Sequence, residues 1–215
     1  MPTRESRPRS REIRTSRARL RPLAQEDLDA VHRIWTEPDV RRYLWDDERI
    51  PREKAESVLD ASIESFESRG FGLWAVFHME DGELIGSCGL RLLEGTPEIE
   101  LLYAISQPYC GMGLATEAAR ATIRYGFEEV GLDRILGMVN KENVASQRVL
   151  VKAGMRFDKH AVREGRTETH YAISRDEFRS DEHRTPCDAP AGSRKASAPL
   201  APDPANFDRH VDQLR

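Results

Sequence analysis

The stretch Tyr109-Cys110-Gly111-Met112-Gly113-Leu114-Ala115-Thr116-Glu117-Ala118 decides how this chain is read. Before it, Glu98 to Ile105 reads as a strand. After it, Leu114 to Glu129 reads as a helix that stops at Gly131. Glycines at such a junction let a backbone come close to a ligand. The free N–H groups of a helix N-terminus can then bind phosphate oxygens. An ordinary glycine turn before a helix is the competing reading. The stretch is not a dinucleotide fingerprint, because Thr116 stands where a third glycine is needed, and no Gly-Lys-Ser/Thr follows to make a P-loop.

Working outward gives strands and helices in mixed order. Ala18 to Leu23 reads as a first strand, and Glu26 to Thr36 as a helix with Leu28, Val31 and Trp35 on one face and Pro38 beyond its end. A second helix is expected from Pro51 to Arg69, with Val58, Leu59, Ile63 and Phe66 as its stripe and Gly70 as its stop. Strands at Leu73 to Phe77 and Leu84 to Leu92 flank an Asp81-Gly82 hairpin turn. On the other side come a strand at Ile135 to Val139, a helix at Asn143 to Ala153, and strands at Met155 to His160 and Thr167 to Ser174. The order predicts an α/β fold: a central mixed, mostly antiparallel sheet of six to seven strands with about four helices and at least one strand–helix–strand crossover.

The 215 residues suit one domain plus extra segments. Residues 1–16 are expected to be a disordered arginine-rich tail, 17–178 the folded domain, and 179–215 a disordered Pro/Ala-rich tail. Within that last segment Phe207, Val211 and Leu214 have the spacing of one short amphipathic helix. Lys plus Arg is 33 against 37 Asp plus Glu, a net −4, so bulk charge gives no support for nucleic acid as a partner. The arginine-rich first 21 residues keep nucleic-acid association as a rival. No apolar run approaches the ~18–20 residues of a membrane span. Cys88, Cys110 and Cys187 form no CxxC pair, so a disulfide framework is not expected and a reducing cytoplasm fits. The six histidines, including His78, His160 and His170, have no metal-ligand spacing, and no metal is expected.

A second informative stretch runs Asn140-Lys-Glu-Asn143-Val-Ala-Ser146-Gln-Arg-Val149-Leu150-Val-Lys152-Ala-Gly154. Asn143 reads as a helix N-cap and Gly154 as the left-handed residue after the helix. Capping and packing explain this stretch taken alone. Together, in this order and spacing, the two stretches resemble the GCN5-related N-acetyltransferase family, and most closely its ribosomal-protein N-terminal acetyltransferase branch. Glu100-Leu-Leu-Tyr103, then Pro108 to Ala118, then Ile123-Arg-Tyr-Gly-Phe127 look like that branch's acyl-CoA segment. The Asn143 to Gly154 stretch looks like its following helix. Leu20-Arg-Pro-Leu, Glu26-Asp-Leu and Trp35-Thr-Glu-Pro-Asp-Val40 look like its N-terminal region.

The resemblance implies an acyl-CoA N-acyltransferase fold and an acetyl-CoA-dependent transfer to a primary amine, either a protein N-terminal α-amine or a small-molecule amine, in a monomer or homodimer. It implies that N–H groups of Met112, Gly113, Leu114, Ala115 and Thr116 hold the CoA pyrophosphate. Pantetheine would pair with the edge formed by Leu102, Tyr103, Ala104 and Ile105, and Asn143 would bond its arm. Cys110 departs from the Gln or Arg that opens the family's loop. Leu150 stands where many relatives carry a tyrosine general acid, so Ser146 becomes the candidate for stabilising or protonating the thiolate. A non-catalytic acyl-CoA-binding module is the alternative those two departures allow.

Glu100 is the candidate base, with an ion-paired or solvated strand carboxylate as the competing reading. Trp35, Tyr43 and Trp45 are candidates for lining the amine site, beside Asp46, Asp47 and Glu48, which could attract a cation. Equally, periodic spacing makes Trp35 a core residue and the acids a solvated loop.

Overall fold

The computed structural model describes residues 11–93, 95–163 and 166–182, with the backbone alone at 163, 166, 181 and 182. Its strands are β1 (Ile13–Arg14), β2 (Ala18–Pro22), β3 (Leu73–His78), β4 (Leu84–Leu92), β5 (Ile99–Ile105), β6 (Arg134–Asn140), β7 (Arg156–Arg163) and β8 (Arg166–Ser174). They form one sheet in the order β1-β2-β3-β4-β5-β6-β8-β7, antiparallel except between β5 and β6. The helices are α1 (Leu28–Trp35), α2 (Pro38–Leu44), α3 (Arg52–Arg69), α4 (Leu114–Tyr125), α5 (Val144–Lys152) and α6 (Arg175–Glu182). Parallel neighbours need a crossover, and α4 supplies it between β5 and β6.

Strand alternation divides the core into two layers. Ile99, Leu101 and Ile105 of β5 join the side chains of α4 and α5, among them Leu114, Ala118, Ile123 and Leu150. Ala104 and Leu102 point the other way, into the layer of Leu28, Val31 and Trp35 of α1 and Leu59 of α3. Ala118 and Ala119 are fully buried, so α4 can lie close on the sheet, where burying Leu114 and Ile123 contributes about 1.5–3 kcal/mol each. Gly70, at φ 81°, ends α3 as its spacing predicts.

Three elements go beyond the sequence reading. The expected tail boundary at residue 17 does not hold for residues 11–16. Ile13 and Arg14 pair with Leu20 and Arg19, and the Trp74 indole N–H donates to the Arg11 carbonyl at 2.7 Å. Pro38, expected only to lie beyond α1, opens α2 as its first residue, a position where its missing N–H costs nothing. The boundary at 178 gives way to α6, where Phe178 packs on Phe127 with ring centroids 5.3 Å apart. The signal for α6 is a capping box: the Ser174 hydroxyl and the Glu177 carboxylate bond each other's backbone N–H groups. The expectations for residues 1–10 and 183–215, including the Phe207 helix, lie outside the described residues. Among the described residues no helix is long and apolar enough to cross a membrane, and no group of three or more His, Cys, Asp or Glu side chains could hold a metal ion.

Candidate active site

β4 stays in register with β5 from Leu92–Ile99 to Gly86–Ile105, but β5 and β6 share a single paired position, Glu100 with Leu136. Beyond it the two strands diverge. The edge of β5 from Leu102 to Ile105 therefore offers to the gap the backbone groups that a neighbouring strand would otherwise take. One side of this gap is the loop that leads into α4, and the other is the N-terminus of α5.

The loop is built on two glycines in the left-handed region, Gly111 at φ 78° and Gly113 at φ 83°. Tyr109 N–H bonds the Ser106 carbonyl and Cys110 N–H the Gln107 carbonyl, which turns the chain out of β5. The next N–H with an intramolecular acceptor is that of Glu117, to the Gly113 carbonyl at 3.0 Å. Those of Gly111 through Thr116 have none among the described residues, and they lie where the dipole of α4 is positive. Leu114 is buried, so it brings only its backbone to the loop, while Met112 is half exposed and Ala115 and Thr116 are half-buried. The Cys110 sulfur lies against the Ile105 and Ser106 carbonyls, and burial, then Glu37 and Asp39, raise its pKa above the usual thiol value. It stays a neutral thiol beside the loop.

At the other helix, Asn143 caps α5: its side-chain oxygen accepts from Ser146 N–H at 3.0 Å. The Ser146 hydroxyl lies 2.6 Å from the hydroxyl of Tyr103, which also reaches the Ser146 carbonyl at 3.0 Å. Burial raises the Tyr103 pKa above that of a free phenol against the pull of the Ser146 hydrogen bond, so the proton stays on. The sequence reading placed only the backbone of Tyr103 in the site. Its hydroxyl contact with Ser146 could not be read from spacing, because the two residues are 43 positions apart. Leu150 is buried against Gly137, where an added Cβ would meet the Leu150 methyls at 2.7 and 3.0 Å.

Glu100 points to the opposite face of β5, the face of α1 and α3, and is buried. Arg91, its register partner on β4, donates to its carboxylate at 2.5 Å. The ion-paired alternative therefore describes its ground state, and Glu100 and Ser146 approach the gap from different faces of the strand. Trp35 needs a correction as a cleft residue: it is 2% exposed and its indole N–H donates to the Ser87 hydroxyl at 3.0 Å, so it is core. Trp45 packs on it, with centroids 5.9 Å apart, and the buried indole N–H of Trp45 has no acceptor among the described residues. Tyr43 is exposed, under the guanidinium of Arg42. With Asp46, Asp47, Asn140 and Lys141 these two residues line an open cleft of about 470 Å³. Asp46 and Asp47 both have positive φ, 55° and 67°, a conformation uncommon outside glycine and eased for aspartate.

Comparison with known proteins shows the family and the fold. A family model described as "Acetyltransferase (GNAT) domain" matches residues 17–156. N-acetyltransferase p20 of Bacillus licheniformis is 30% identical over 141 residues, 63% of this chain and 77% of the relative. Spermidine N(1)-acetyltransferase of Escherichia coli is 31% identical over 137 residues, 63% and 71% of the two chains. Among solved structures, an acetyltransferase from Agrobacterium tumefaciens superposes with a TM-score of 0.68 at 26% identity, over 80% of this chain and 98% of the other. RimL, a ribosomal L7/L12 α-N-protein acetyltransferase solved with CoA, has the same fold with a TM-score of 0.65 at 15% identity, over 76% and 97%.

Proposed function

This chain belongs to the acetyltransferase (GNAT) domain family and is an N-acetyltransferase, and from that premise we propose that it draws its acetyl group from acetyl-CoA and delivers it to an α-amine by direct attack. The observation that carries this reading is the divergence of β5 and β6, which leaves a strand edge open and leads along it to the unpaired N–H groups of the α4 loop. A pantetheine arm is a chain of amides that can pair with such an edge, and a diphosphate is an anion suited to such a loop. Acetyl-CoA supplies an activated thioester, and the chain supplies alignment and proton control.

Only a neutral amine attacks. An α-amine with pKa about 7.7–8.0 costs roughly 1.4 kcal/mol or less to deprotonate at pH 7, against ~4.6 kcal/mol for a lysine near 10.4. The site needs little base strength for the first and much more for the second. Glu100, fixed by Arg91, receives the proton through a water. Ser146, oriented by Tyr103, hydrogen-bonds the departing sulfur, and a β5 N–H steadies the oxyanion. The Asn143 side-chain oxygen is spent on the α5 cap, so contact with pantetheine falls to its NH2 group. The cleft lined by Tyr43, Asp46 and Asp47 receives the amine end of the acceptor, with Trp45 packed behind it on Trp35. RimL is named for a protein α-amine and the Escherichia coli relative for spermidine, and the lower cost of deprotonation favours the first of these classes for this chain.

The test is thiol release from acetyl-CoA with peptides bearing a free α-amine, the same peptides blocked at the α-amine but carrying lysine, and polyamines. Faster turnover of the free α-amine peptides is expected. Turnover confined to lysine peptides or polyamines would overturn the α-amine assignment, and absence of calorimetric heat on adding CoA would overturn the acetyl-CoA reading.

A further inference from the structure

We propose that Arg17 is a positioning residue for the loop before α4, holding it in its anion-binding conformation through Met112 and Glu117. The proposal rests on the acetyl-CoA reading and goes beyond it to a residue outside the two motifs.

Arg17 lies in the turn between β1 and β2, next to a segment the sequence alone assigns to a tail. Its Nη1 donates to the Met112 carbonyl at 2.8 Å. Its Nε and Nη2 grip Glu117 Oε2 at 2.9 and 2.7 Å. Glu117 Oε1 accepts from the Arg17 backbone N–H at 2.8 Å and from the Ser16 hydroxyl at 2.9 Å. One guanidinium thus ties the loop to the first turn of the helix it opens. Between Gly111 and the Gly113 N–H no other hydrogen bond holds the loop among the described residues: Met112 is half exposed, and an added Cβ at Gly111 would meet nothing within 4 Å.

The geometry says what the anchor does. The Met112 carbonyl and the Gly113 N–H belong to one planar trans peptide and point in opposite directions. Drawing the carbonyl toward Arg17 turns the N–H away from it, so that it can face the anion. Between two left-handed glycines this peptide plane would otherwise be free to rotate. Arg17 and Glu117 also cancel in charge, so the pair contributes to diphosphate binding by shape rather than by field.

Calorimetry of CoA binding to the wild type, Arg17→Ala, Glu117→Ala and the double variant tests this. Each single change should weaken CoA about tenfold, and the double should be no weaker than the worse single, because both residues act through one anchor. KM for acetyl-CoA should rise by the same factor while kcat holds, and Arg17→Lys, which keeps the charge and one donor, should recover part of the loss. If Arg17 instead touched the phosphates directly, Glu117→Ala would leave CoA affinity unchanged or raise it, and that result overturns the proposal. Unchanged CoA affinity in both single variants, with only a lower Tm, also overturns it. No heat from the wild type would sink the acetyl-CoA reading itself, and the proposal with it.

Discussion

Replacing Tyr103 with phenylalanine removes one oxygen atom and leaves the ring packed. That oxygen lies 2.6 Å from the Ser146 hydroxyl and 3.0 Å from the Ser146 carbonyl. A phenol has one proton, so it donates to one of these at a time; donating to the hydroxyl leaves the serine proton free to face the gap. A buried neutral hydrogen bond of this kind contributes about 0.5–1.5 kcal/mol, which corresponds to a roughly 2- to 13-fold fall in the chemical step. The fall should appear in single-turnover thiol release at saturating acetyl-CoA, with KM for acetyl-CoA unchanged because the α4 loop is untouched. Because burial keeps the phenol protonated through the neutral range, the variant should also keep the wild-type pH profile. Ser146→Ala should cost at least as much, and the double variant should match Ser146→Ala. An unchanged rate in Tyr103→Phe, or losses that multiply in the double variant, would refute the reasoning that the phenol works by orienting the serine.

Two further outcomes are expected. Glu100→Gln should lower turnover by about 10²-fold and alter its pH profile while CoA affinity measured by calorimetry stays within about twofold; unchanged turnover across pH would remove Glu100 as the base. Acid should loosen the protein in a defined window. Burial raises the Glu117 pKa, but the hydroxyls of Thr15 and Ser16 and both the backbone and guanidinium of Arg17 outweigh it and bring it to about 2. Asp81 also lies at about 2, held down by the Glu83 N–H, His78 and Tyr109, against some burial. Both pKa values are depressed in the fold, so their stabilisation is complete above about pH 4.5 and is lost as the pH falls toward 2. For Glu117 the loss is on the order of 1–2 kcal/mol after allowance for solvent screening. Thermal melts between pH 5 and 2.5 should show a steeper fall for the wild type than for Glu117→Gln.

Much of the framework is legible in local pattern. The Gly111 and Gly113 loop, the Asn143 cap, the Gly70 stop and the Asp81-Gly82 turn each reflect a backbone requirement that few residue types meet, so the residue announces the conformation. Elements whose local signals admit two readings were harder. Pro38 can end one helix or begin the next, and the spacing of α1 to α2 decides between them only in three dimensions. Ser174-Arg-Asp-Glu177 was a readable capping box at the start of α6 that follows directly on a strand with no turn between. Ile13, alone among arginines, pairs as a strand because Trp74 and β2 are there to receive it.

The sequence by itself determined the order of strands and helices from β2 to β8, α2 apart, the glycine loop at the N-terminus of α4 and the membership of the family, because these depend on neighbours along the chain. Only the tertiary structure decided which side chains meet at the gap. Glu100 with Arg91, Tyr103 with Ser146, and Arg17 with Met112 and Glu117 are set by strand register, by the divergence of β5 from β6 and by the return of the first strand across α4. The physical reason is range: backbone propensity acts over a few residues, whereas a hydrogen bond between side chains 43 or 100 positions apart exists only once the chain has closed on itself.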